Sequence, residues 1–205
     1  MVADVEVGSL LSGGVDSTLV TYLAQGFMDR PIKTFSVGYT GQNSELPFAK
    51  QASEKIGTDH YTLEAKADLI EELEKAIAYM DEPHADTSNF PQHLVSALAG
   101  SKVKVALSGD GADELFMGYG WYWKHRHLPF AERLLARVFS NPFKVYIKNI
   151  SIFSQAERTA LWKDSPADGT ANSPINNDIF PQTLSLTKDS IKKINRFDLG
   201  VYLPG

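Results

Sequence analysis

Along the first 110 residues, short apolar runs alternate with stretches whose apolar positions recur every three or four residues. VEVGSLLS at 5–12 predicts a buried strand, and DSTLVTYLAQGF at 16–27 a helix ending near Gly26. PIKTFSVGY at 31–39 reads as a second strand entered by Pro31. SELPFAKQASEKIG at 44–57 reads as a helix closed by Gly57. DHYTLEA at 59–65 is a third strand. DLIEELEKAIAYM at 68–80 is an amphipathic helix with Leu69, Ile70, Leu73, Ile77 and Met80 on one side. FPQHLVSALAG at 90–100 is another helix, and KVKVALSG at 102–109 a fourth, buried strand that leads into a turn at Gly109 and Gly111. Strands alternating with helices predict an α/β fold with a parallel sheet and helices on both faces.

After Gly120 the pattern changes. WYWKHRHLPFAERLLARVF at 121–139 reads as helix broken near Pro129, residues 164–181 as a polar loop, and KDSIKKINRFDLGVYL at 188–203 as a last helix. The expectation is an α/β core over 1–120 with a mostly helical C-terminal appendage over 121–205.

Composition narrows the function. Hydrophobic residues make up 43% of the 205 residues, enough to bury a core. The net charge of −5 gives no support to a broad nucleic-acid footprint, which needs clustered Lys and Arg. There is no cysteine, which removes disulfides, thiolate metal sites and thiol nucleophiles. No apolar run reaches the roughly 18 residues of a membrane span, and the N-terminus lacks a basic, signal-like start. A cytoplasmic protein is expected.

The stretch LLSGGVDSTL at 10–19 places a glycine turn between a strand and a helix. Such turns bind phosphate, because glycines let the backbone approach and the helix N-terminus offers free N–H groups. Ser12, Ser17 and Thr18 add hydroxyls. No Gly-Lys pair is present, so this is not a Walker A loop, and no G-x-G-x-x-G occurs. Asp16 would repel phosphates unless a cation lies between them, which a Mg²⁺ held by carboxylate and phosphate oxygens provides. The competing reading is that Asp16 caps the helix.

VALSGDGADELFMGYG at 105–120 repeats this logic with Asp110, Asp113 and Glu114 crowding the turn. Ligand crevices in open α/β sheets form at the carboxyl ends of strands. If both turns flank one crevice, Asp16 and Asp113 share a Mg²⁺ and Asp110 faces the ligand. Helix capping by Asp110 or Asp113 is again the alternative.

SGGVDST resembles the PP-loop of the ATP pyrophosphatase superfamily, an adenine nucleotide alpha hydrolase-like fold. DVEVGSLLSGGVDST, FSVGY, DEPHADTS, LSGDGADELFMGY and DLGVYLP, in that order from Asp4 to Pro204, resemble the synthetase domain of glutamine-hydrolysing asparagine synthetases. The resemblance implies an AMP-forming carbon–nitrogen ligase using ATP and Mg²⁺. A carboxylate, aspartate or another acid, is adenylated with release of pyrophosphate and then aminated by ammonia. By matching motifs, Ser12, Gly13, Gly14, Asp16 and Ser17 would bind the pyrophosphate end and the metal. Leu10 and Val37 would line the adenosine pocket, and Ser108 and Gly109 would touch the nucleotide. Asp110 would help the amine attack, and Asp113 would be the second metal ligand. The partners implied are these small molecules and a glutaminase domain or subunit, with a homodimer also expected.

The chain departs from that pattern at several points. It has no catalytic N-terminal cysteine, it stops at Gly205 before the family's phosphate-contacting lysine, and Met117 stands where the family usually has glycine. A truncated synthetase domain is therefore expected. A non-catalytic Mg-ATP-binding fragment, an amidotransferase for another acid, and a tRNA-modifying or β-lactam-forming relative are the alternatives. His125 and His127 read as a solvated basic stretch, as do Lys192, Lys193 and Arg196. Trp121, Tyr122 and Trp123 read as core aromatics, and His60 and His93 as structural.

Overall fold

Four parallel strands form one sheet in the computed structural model of this protein, which describes residues 2–39, 44–65, 70–80, 88–126, 153, 157, 160–161 and 190–203. The chain divides into two compact units, Met1–Asp110 and Gly111–Gly205. The first carries β1 (Val7–Leu10), α1 (Val15–Gln25), β2 (Lys33–Tyr39), α2 (Leu46–Ile56), β3 (Asp59–Ala65), α3 (Ile70–Ala78), α4 (Asn89–Gly100) and β4 (Val105–Leu107). The sheet order is β3-β2-β1-β4, so the chain reverses direction across the sheet between β1 and β4. Crevices for ligands form at that switch point.

Alternation along the strands separates two very different faces. On one, Phe35 is fully buried and packs with Ala99 and Val103, flanked by Leu10, Tyr61, Val95 and Leu98. This is the α4 side, and α3 packs on α4. Gly8 makes room there, because a Cβ would stand 2.7 Å from the Phe35 ring and 3.0 Å from the Lys33 carbonyl. On the other face, α1 buries Ser17, Thr21 and Ala24 rather than its larger apolar residues. The hydroxyls of Ser9 and Thr21 are 2.8 Å apart, and Thr21 Oγ1 donates to the Ser17 carbonyl at 2.7 Å. Farther along, Thr34 Oγ1 lies 2.8 Å from Thr58 Oγ1 and 2.9 Å from His60 Nδ1, and Thr58 donates to Ser53 of α2 at 2.9 Å. Buried hydroxyls are tolerated because they satisfy one another.

Several expectations need correction. β4 is not a buried strand. It is an edge strand with β1 as its one partner among the described residues, and Val105 and Ala106 are exposed. Ile77 is 53% exposed on α3, whereas its neighbour Ala76 is buried. The stop at Gly57 is as expected: φ of 81° and an N–H donated to the Ser53 carbonyl at 2.8 Å close α2. The expected helix break at Pro129, the polar loop at 164–181 and most of DEPHADTS lie outside the described residues.

The described part of the second unit comprises α5 (Ala112–Phe116), α6 (Gly120–Arg126), α7 (Ser190–Phe197) and a π-helical turn, Asp198–Tyr202. Two carboxylates are buried in it, Glu114 and Asp198. Glu114 Oε1 accepts from the Tyr119 hydroxyl at 2.6 Å, and its backbone carbonyl accepts from Asn195 Nδ2 of α7. Asp198 accepts from the Tyr122 hydroxyl. Burial first, then that bond, hold the Tyr122 hydroxyl well above the usual tyrosine range. Tyr122 thus packs inside as expected, whereas Trp123 is exposed.

Candidate active site

The first glycine turn is held in shape by its own serines. Ser12 Oγ and Ser17 Oγ are 2.9 Å apart, Ser17 Oγ accepts from the Ser12 N–H at 3.2 Å, and Ser12 Oγ accepts from the Gly14 N–H at 3.2 Å. The N-cap of α1 is Gly14, with no side-chain cap bond, so Asp16 does not cap the helix. The first-turn N–H groups of α1 have no intrahelical acceptor and are available to an anion. Gly13, at φ 83°, lies against α2: a Cβ would stand 2.5 Å from the Phe48 carbonyl carbon and 2.6 Å from the Ala49 nitrogen. Any side chain there would push the turn off α2.

The second turn meets the first through its backbone. A Cβ at Gly109 would stand 2.8 Å from the Ser17 nitrogen, so only glycine allows this approach. Asp110 is exposed, and its N–H reaches Ser108 Oγ at 3.4 Å. In the second unit, Gly111 (φ 84°) is the N-cap of α5, again with no side-chain cap bond, so neither Asp110 nor Asp113 caps that helix. Asp113 stands in its first turn. Gly118 leaves space for the Asp113 carboxylate, which a Cβ at 118 would strike. Met117 closes α5 at φ 58°, a left-handed conformation that costs a side-chain-bearing residue roughly 1–2 kcal/mol. That is the position where glycine was expected.

Within the first unit, one cavity of about 610 Å³ gathers Leu10, Ser12, Gly14, Asp16, Ser17, Val37, Ser108, Gly109 and Asp110. The volume suits a small-molecule ligand. It has two kinds of wall, which continue the two faces of the sheet. Leu10, Phe35 and Val37, with Pro91 and Val95 of α4, make an apolar side. Ser12, Gly14, Asp16, Ser17 and Ser36 make a polar side. The Ser36 hydroxyl donates to the Leu11 carbonyl and fixes the end of β1 to β2. Sequence reasoning missed Ser36, Tyr39, Ser44, Glu45, Ser88, Pro91, Gln92 and Val95. The first four follow from the rule that strand ends line the crevice, once β2 is placed beside β1, and Ser88 is the last residue of DEPHADTS. The α4 residues had only their position after DEPHADTS to mark them.

A nucleotide fits this arrangement: a flat apolar base beside Leu10 and Val37, and phosphates at the helix N-terminus. Asp16 lines the polar side, and its carboxylate has no hydrogen bond or ion pair among the described residues, so it is free to bind a cation. Among the described residues no group of three or more His, Cys, Asp or Glu forms a preassembled metal cluster. Mg²⁺ needs none, because it takes one or two protein carboxylates and completes its shell with phosphate and water oxygens. No described helix is long and apolar enough to cross a membrane.

The family model described as asparagine synthase matches residues 1–205. Glutamine-hydrolyzing asparagine synthetase 1 of Bacillus subtilis strain 168 is 40% identical over 136 residues, 65% of this chain and 21% of that protein. A Methanocaldococcus jannaschii protein with the provisional name glutamine-hydrolyzing asparagine synthetase 2 is 35% identical over 170 residues, 78% of this chain and 33% of that protein. Glutamine-hydrolyzing asparagine synthetase 3 of B. subtilis is 32% identical over 139 residues, 60% of this chain and 22% of that protein. The chain thus spans between about a fifth and a third of the length of these curated relatives.

Proposed function

The chain belongs to the asparagine synthase family, and from that premise we propose that it carries the ATP site of an AMP-forming carbon–nitrogen ligase. The acid adenylated is aspartate, and ammonia then converts the adenylate to asparagine. The observation that carries this reading is the gathering of Leu10, Ser12, Gly14, Asp16, Ser17, Val37, Ser108, Gly109 and Asp110 around one cavity.

In this reading Leu10 and Val37 hold the base, and Ser12, Gly13, Gly14 and Ser17 shape a turn whose N–H groups take the phosphates. By the family's motif Asp16 and Asp113 would be the residues to hold Mg²⁺, which when bound would neutralise charge on the leaving pyrophosphate. The acid's carboxylate oxygen attacks the α-phosphorus and the bond to pyrophosphate breaks. Asp110 then accepts a proton from the ammonia nitrogen as it attacks the acyl carbon and AMP leaves. Activation is needed because a carboxylate is a poor electrophile. The turns contribute mainly positioning and charge compensation. A glutaminase domain or subunit supplies the ammonia, since the chain has no cysteine of its own.

Mg²⁺-dependent exchange of labelled pyrophosphate into ATP tests the proposal. Exchange that requires aspartate and falls about a hundredfold or more in Asp16→Ala supports it. Exchange at the parent rate in Asp16→Ala rejects the metal role. ATP binding without exchange for any acid favours a nucleotide-binding piece of a longer enzyme, a reading consistent with the fraction of the relatives that the chain spans.

A further inference from the structure

Helix α5 has only five residues, Ala112–Phe116, and a helix this short is fixed by what surrounds it. Glu114 anchors it. Its side chain is buried, its Oε1 accepts from the Tyr119 hydroxyl at 2.6 Å, and its carbonyl accepts from Asn195 Nδ2 of α7. The neighbouring Asp113 is half-buried, and a carboxylate offers the hard oxygen that Mg²⁺ takes. The chain leaves α5 through Met117 at φ 58°, a conformation that a residue with a side chain holds only under restraint. It then folds back on Asp113. The Gly118 N–H donates to the Asp113 carbonyl at 2.9 Å, and a Cβ at 118 would strike the Asp113 carboxylate. That carboxylate is therefore confined by backbone, and the bond from Glu114 to Tyr119 spans the turn that brings the backbone there. Tyr119 is steadied in turn by stacking on Trp121, with ring centroids 4.1 Å apart.

We infer that Glu114 is a positioning residue for Asp113. Its bond with Tyr119 keeps the turn at Met117 and Gly118 folded against the Asp113 carboxylate, and so presets the direction in which that carboxylate meets a divalent cation. The inference rests on the reading of Asp113 as a metal-binding residue and deepens it. It gives two adjacent acids separate tasks, Asp113 toward the ion and Glu114 toward the backbone that aims it.

The test reads how far Mg²⁺ tightens ATP binding to the full chain, by calorimetry with Mg²⁺ and with a chelator. This ratio belongs to the folded molecules alone, so a variant that merely folds less completely leaves it unchanged. Asp113→Ala sets the scale. Glu114→Ala should lower the ratio about tenfold, toward the Asp113→Ala value, the usual effect of removing a group that orients a metal ligand. Glu114→Gln keeps an acceptor for the Tyr119 hydroxyl and should restore most of it. Tyr119→Phe removes the hydroxyl, keeps the ring and should lower the ratio about two- to tenfold; it decides the matter if the Glu114 variants fold poorly. Added to Asp113→Ala, Tyr119→Phe should change the ratio no further. A parent ratio in Tyr119→Phe, beside a lowered one in Asp113→Ala, overturns the inference and leaves the metal reading standing. A further loss in the double variant also overturns it, because the effect then does not pass through Asp113. A parent ratio in Asp113→Ala itself removes the metal reading and the inference with it.

Discussion

The two faces of the sheet are built on opposite principles. The α4 face is held by shape, with Phe35 wedged between Ala99 and Val103. The α1–α2 face is held by satisfied polarity, with Ser9, Thr21, Thr34, Ser53 and Thr58 bonded in pairs and chains. Even α1 follows this division. It turns Ser17, Thr21 and Ala24 inward, while Val15, Leu19, Tyr22 and Leu23 remain exposed. Small hydroxyl side chains let helix and strand approach closely, and they bring α1's N-terminus down onto the glycine turn. The apolar face has no such need, and it ends in the apolar wall of the cavity instead. One sheet thus delivers a dry wall and a hydrogen-bonding wall to the same cavity.

Three measurements can break or sharpen this contrast. Phe35→Ala should have the largest effect, a loss of about 3–5 kcal/mol in denaturant unfolding. A loss under about 1 kcal/mol would mean that shape does not hold the α4 face. On the hydroxyl face, Ser9→Ala and Thr21→Val should each cost about 0.5–1.5 kcal/mol, the net worth of the hydrogen bond between them. The double variant should cost clearly less than their sum, because each single change already breaks the same bond. Strict additivity would show the hydroxyls acting separately. The smallest effect is expected at His60. Its Nδ1 meets Thr34 Oγ1 at 2.9 Å, while its buried Nε2 has no hydrogen-bond partner among the described residues. Burial holds its pKa below the usual histidine range, against a smaller raising effect of hydrogen bonding to Thr34. The unfolded ring titrates near about 6.5, so below that pH the unfolded chain binds the extra proton more readily. The contribution of His60 is therefore fully present above about pH 6.5 and is lost as the pH falls toward its lower folded value. Thermal melts at pH 7.5 and 5.5 should differ less in His60→Gln than in the parent. An equal difference would show that this ring is not the titrating group.

The linear pattern carried much of this architecture, for identifiable reasons. The third strand, Asp59–Ala65, and the stop at Gly57 were legible because β-rich residues and a left-handed glycine leave local marks. Helix spacing located α1 but not its inward stripe. Its leucines and its hydroxyls both recur at helical intervals, and only the Ser9 partner across the interface decides between them. Ile77 and Ala76 make the same point on α3, where a neighbour's packing overrode hydrophobicity. The exposure of β4 was hidden because an edge strand and a central strand share the same short apolar run. At the site, glycine turns and acids announce themselves in sequence. Gln92 does not, since nothing in FPQHLV marks which helical residue a distant strand end will face.

The contact between Gly109 and Ser17 has a consequence for substitution. It joins backbone to backbone, so no rotamer stands between them to absorb a displacement. A shift of a few tenths of an ångström in the chain before Asp110 is handed directly to the amides that would grip phosphate. A side chain at 109 would therefore displace the first turn itself, where a side chain at an open position would displace only its own neighbours.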